Sequence, residues 1–202
     1  MLRKLFTGLA ETALPAADLW ALALSAPYCR QAGGPYDCLT PYRGLGTRVS
    51  RALLREYWGV NGASGREQHE QTLAALCWLR DAGHRRDFAE PGDIEAALDF
   101  LAWDAARIVH VARHAYHAGY LDTAEAWVYV RVLAPLVQKT FPSWAEYGRR
   151  FGRGRLRWLT ERDPSFDSAI AWLSSAPDSP WQNLRWDTPL PPALAGPEDS
   201  TS

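Results

Sequence analysis

"WDAARIVHVARHAYHAGYLDTAEAW", residues 103–127, decides the fold. Together with the residues before it, it places Ile94, Leu98, Leu101, Ala105, Ile108, Ala112, Ala115 and Tyr116 on one apolar face at helical spacing. Gly119 supplies a stop for that helix. Asp122 then restarts the chain as an N-cap, with Glu125 three positions on in a capping-box arrangement. The stretch predicts two helices, 93–118 and 122–140, folded into a central antiparallel hairpin. Leu98, Leu101, Ala105, Ile108 and Ala112 should face Ala126, Val130, Leu133 and Val137. Pro135 predicts a kink in the second helix or an unpaired carbonyl, because proline has no N–H to donate.

Working outward, the same period predicts helices near 2–11, 15–25, 46–58, 65–82, 143–159 and 165–175, and no segment alternates as a strand would. A Gly- and Pro-rich loop fills 27–44. "SWAE" repeats the capping pattern with Ser143 and Glu146. The expected fold is all-α: a single compact multi-helix domain with the hairpin at its centre. Residues 1–44 pack their helices and loop on a body of 45–176. The tail, 177–202, is pinned first by Trp181, Leu184 and Trp186 and is disordered beyond Pro191.

Composition narrows the classes. The 202 residues suffice for one domain with a sizeable core. A net charge of -1 argues against a general nucleic-acid binder. Ten tryptophans, spread from Trp20 to Trp186, favour a core built on large aromatics over one aromatic cage. Glu11, Pro15 and Asp18 interrupt any signal-peptide core, and no apolar run would cross a membrane. Cys29, Cys38 and Cys77 follow no metal spacing, and no disulfide is expected between Cys29 and Cys38 although a turn at Gly33-Gly34-Pro35 could bring them near. These features predict a cytoplasmic protein.

His110, His114 and His117, at i, i+4 and i+7, share a helix face. No glutamate follows His110, and Arg113 between them would repel a cation, so the stripe reads as polar without a metal. No cofactor and no catalytic residue is expected, since "GLGTR" and "GRGR" lack the strand that a phosphate loop needs and no nucleophile elbow exists. Asp104, Arg107, Arg113, Glu125 and Gln138, with Arg131, are the polar candidates on the hairpin. They read as a network fixing helix register or as a site for an anionic ligand. Asp104 and Arg107 should be buried and paired, with Arg113 or Glu125 close by.

The helix from Ser143 divides into an aromatic face of Trp144, Tyr147, Phe151 and Trp158 and a basic face of Arg149, Arg150, Arg153 and Arg157. The basic face is a candidate partner surface, or a solvated face balanced by Glu146, Glu161 and Asp163. Gly148 and Gly152 would let a neighbouring helix approach.

"REYWGV" at 55–60, "LAALCWLRDAGHRRDF" at 73–88, "WDAARIVHVAR" at 103–113, "GYLDTAEAW" at 119–127 and "FPSWAEYGRRFGRGRLRW" at 141–158 follow in a recognisable order. The chain resembles, over roughly residues 48 to 160, the bacterial domain-of-unknown-function family 1266, a tryptophan-rich helical family. The matching positions are Trp103, Asp104, Arg107, Arg113, Gly119, Tyr120, Glu125, Trp127, Gln138, Phe141, Ser143, Trp144, Gly154, Arg155 and Trp158. The resemblance implies a helical domain without an assigned activity, and an immunity or accessory role in a bacterial toxin system. The expected function is a non-enzymatic, protein-binding module whose partner could be a toxin, with no nucleic acid and no membrane involved. The alternative is a small anionic-ligand binder or enzyme using the polar cluster between helices 93–118 and 122–140.

Overall fold

The computed structural model describes residues 14–84 and 91–192. The helix expected at 2–11 and the disorder expected beyond Pro191 lie, wholly or almost wholly, outside the described residues. The fold is all-α, and no strand occurs among the described residues. The helices are α1 (Ala16–Ala23), α2 (Ala26–Ala32), α3 (Arg48–Trp58), α4 (Gly65–His84), α5 (Pro91–Ala118), α6 (Thr123–Arg131), α7 (Ala134–Thr140), α8 (Trp144–Leu159), α9 (Pro164–Ser175) and α10 (Pro180–Asn183).

α5 is the axis of the molecule. Its residues from Leu101 to Val109 are all buried, because α3, α4, α6 and α8 pack around it, and α2 and α7 touch it as well. α5 stays covered toward its end, where Val111 to Ala115 are buried too. A helix that is covered all round needs no polar face. The most extensive of these contacts is with α8. Gly154 makes that crossing possible, since a Cβ there would overlap the Asp99 carbonyl oxygen of α5. The glycines singled out earlier act elsewhere. A Cβ on Gly148 would stand 2.7 Å from the Trp181 ring, and one on Gly152 only in ordinary contact with Ile170.

The segment expected as one helix over 122–140 is two. α6 ends at Arg131, and Pro135 falls in the first turn of α7, where its missing N–H costs nothing. Asp122 and Glu125 form the full capping box, at 2.9 and 2.8 Å. At α8 only half forms: Ser143 Oγ accepts from the Glu146 N–H, while the Glu146 carboxylate turns to Arg149 and Arg150. α2 is a second correction, lying where a loop was expected. Pro27 stands in its first turn, and Gly33, left-handed at φ 68°, ends it.

Large aromatics make the core beside α1 and α8. Trp20, fully buried, lies 4.8 Å from Trp144, and Trp144 stacks on Trp181 at 5.7 Å and 9°. Each of these indoles keeps its N–H satisfied: Trp20 donates to the Trp186 carbonyl, Trp144 to Leu184 and Trp181 to Ala23. The start of the tail is thereby fixed to the body. Cys29, Cys38 and Cys77 are free thiols. No helix among the described residues is long and apolar enough to cross a membrane.

Candidate functional site

Arg107 stands on α5 in the midst of four tryptophans from four helices. Its guanidinium carbon lies 3.7 Å from the centroid of Trp103, 5.5 Å from Trp78, and 5.7 Å from both Trp58 and Trp158. This is cation–π geometry, strongest where the cation is desolvated. Asp104, one turn earlier and fully buried, accepts from Arg107 Nη2. The expected buried pair is therefore present. The arginine is still short of one partner: its Nε is shut from solvent and meets no acceptor among the described residues.

These residues line a cleft of about 720 Å³ between α2, α3, α4, α5, α8 and the start of α9. Exposure falls with depth. Tyr57, Trp78 and Trp158 form the rim at 71%, 50% and 55% exposed, with Leu159 beside them, whereas Trp103 and Arg107 on the floor are buried. Tyr28 and His110 complete the floor, their rings stacked at 4.3 Å and 21°. Tyr28 Oη accepts from Trp103 Nε1 at 3.1 Å. Burial pushes the Tyr28 phenol up to about 12, against the pull of Arg107, so it keeps its proton. Burial, then His114 and Arg113, hold His110 well below the usual imidazole range, so it is neutral at pH 7. On the α8 side, Arg155 pairs with Asp163 at 3.3 Å and stands over the Phe166 ring.

The remaining candidates do not join this floor. Arg113 is fully buried and points the other way. It donates to the carbonyls of Pro35, Leu39 and Thr40, to Ser25 Oγ and to Cys29 Sγ, and so ties the 35–40 loop to α5. Glu125 meets His69 at 2.7 Å and caps α6. Gln138 donates to the Trp186 and Thr188 carbonyls and holds the tail. Arg131 pairs with Asp18 of α1. Only Asp104 and Arg107 act together; the expectation that Arg113 or Glu125 lies beside them is corrected.

The histidine stripe is packed rather than solvated. His114, 1% exposed, shares the Ser50 hydroxyl with His117, at 2.9 and 2.8 Å. Burial, then Arg113 and His117, lower His114 to about 3. No group of three or more potential metal ligands is gathered among the described residues. The basic face of α8 is paired internally. Asp99, fully buried, receives Arg150, Arg153 and Arg157, Glu95 takes Arg150 and Arg153, and Glu146 takes Arg149 and Arg150. Of the balancing carboxylates expected from the sequence, Glu146 serves this face and Asp163 serves Arg155.

Tyr28, Tyr57, Trp58 and Trp78 were not singled out by sequence. They come from three helices with no common spacing, and the surplus of tryptophan was the one signal. It pointed to a core, and the molecule holds both a core and a cage.

Cleft and helices together define an all-α domain with a buried arginine beneath an aromatic rim. Residues 93–186 match the family model described as Protein of unknown function (DUF1266). That segment starts later and runs further than the 48–160 expected, taking in the tail tryptophans. No curated protein and no solved structure matches the chain.

Proposed function

We propose that the protein is a non-catalytic binding module that docks a partner protein over the aromatic rim of the cleft. The observation that carries this reading is the exposure of Tyr57, Trp78, Trp158 and Leu159 together around one concavity. Large apolar side chains left in water as a group mark interaction sites, and tryptophan and tyrosine are preferred anchors there. The basic face of α8 is the weaker candidate, because its guanidiniums already have carboxylates. A toxin partner, as the family resemblance implies, fits this role as an immunity or accessory function in the cytoplasm. The test is co-purification with the product of the adjacent gene, comparing wild type with a Trp78→Ala, Trp158→Ala double variant. Capture by the wild type and loss in the double variant supports the reading; capture that survives the double substitution moves the interface away from the rim.

A further inference from the structure

The floor of the cleft has features that docking at the rim does not require. Tryptophan walls around a cavity ordinarily suit a ligand cation. Here that position is taken, because Arg107 itself occupies the middle of the four indoles. A second cation entering the cleft would meet Arg107 and also Arg155. Neither carboxylate is left to neutralise it, since Asp104 is engaged by Arg107 and Asp163 by Arg155.

What the floor lacks is an acceptor. The Tyr28 hydroxyl lines the cleft, receives the Trp103 N–H and donates its own proton to no described residue. A donor left unsatisfied in an apolar site is unfavourable, and a ligand oxygen within hydrogen-bond distance would satisfy it. The volume, about 720 Å³, lies in the range of small-molecule sites. The walls are flat rings that favour a planar group stacked or edge-on.

We infer that the cleft floor is a binding site for a small planar aromatic molecule carrying an oxygen acceptor and no positive charge. The ring lies in the cleft above Arg107, against the rim tryptophans Trp78 and Trp158. The oxygen, a carbonyl or a carboxylate, faces Arg107 and Tyr28. A carbonyl is sufficient, because each arginine already has its own carboxylate. This site stands whether or not a protein docks above it.

Three probes with one ring separate the chemistry: phenylacetamide, phenylacetate and phenethylamine, titrated into the full chain by calorimetry and by ligand-observed NMR. The amide and the acid should bind, and the amine should be weaker by at least about tenfold. Trp78→Ala, half-exposed and so replaceable without opening the core, should weaken the amide by about tenfold with an unchanged melting temperature. If that variant does not fold, Tyr57→Ala, more exposed still, takes its place. Tyr28→Phe, which keeps the ring and removes the hydroxyl donor, should narrow the preference for the amide over toluene. The inference is overturned if the amine binds as well as the amide, if none of the three binds at millimolar concentration, or if binding is unchanged in the folded rim variant. Partner capture by a protein that ignores all three probes would leave the docking proposal standing and remove this one.

Discussion

At the scale of single residues, burial decides which polar groups matter. Asp104 and Arg107 are buried together on α5, with four tryptophan rings around the guanidinium. Removing the carboxylate strands a buried cation whose Nε already lacks an acceptor. Asp104→Ala should therefore destabilise the fold by about 3 kcal/mol or more, read as a lowered urea midpoint, and a midpoint within experimental scatter of wild type would show the pair to be dispensable. The buried histidines set a pH dependence. His110 and His114 are both held below the unfolded value of about 6.5. Above pH 6.5 both states are neutral and stability is flat in this respect. As pH falls below 6.5, the unfolded chain takes up protons that the folded chain refuses, so stability is lost. For His114 the loss approaches about 1 kcal/mol per pH unit and continues toward pH 3, and His110 adds a loss of the same sign. Urea midpoints at pH 7.5, 6 and 5 should fall accordingly, and a His114→Gln variant should show a shallower fall. An equal slope in that variant would assign the acid sensitivity to other groups.

At the scale of elements, the contact between α5 and α8 organises the rest. Gly154 is where the two helices come closest, and the α8 arginines reach across to Asp99 from the same side. Gly154→Ala would press a methyl group into the α5 backbone, which cannot yield as a side-chain tip can. The expected cost is about 2–3 kcal/mol of stability, with far-UV helicity kept, and Gly152→Ala, which meets Ile170 at ordinary contact distance, serves as the mild control. If the two variants melt alike, the close crossing is not what limits the packing. Local chemistry marked some element boundaries well. The capping box at Asp122 and the stop at Gly119 are where residue type alone placed them, because each satisfies its own backbone locally. The break between α6 and α7 was only half legible. Pro135 announced an interruption, but whether a helix kinks or ends there depends on what packs on either side.

At the scale of the whole molecule, one core joins α1 and α2, the central helices and the start of the tail through Trp20, Trp144, Trp181 and Trp186. This placement leaves Trp58, Trp78 and Trp158 free of the core interior, and they meet around Arg107 only because α3, α4 and α8 surround α5. The sequence by itself determined the all-α class, the resemblance to the family model over residues 93–186 and the burial of the Asp104–Arg107 pair. Each rests on signals carried within a few turns of chain: helical periodicity, motif spacing, and the cost of an unpaired charge on an apolar helix. Only the tertiary structure decided that Arg113 serves the 35–40 loop, that the histidine stripe is packed under α3, and that tryptophans from three other helices join Trp103 around one arginine. Side chains on different helices carry no common period, so their meeting is fixed by how the helices cross and by nothing local.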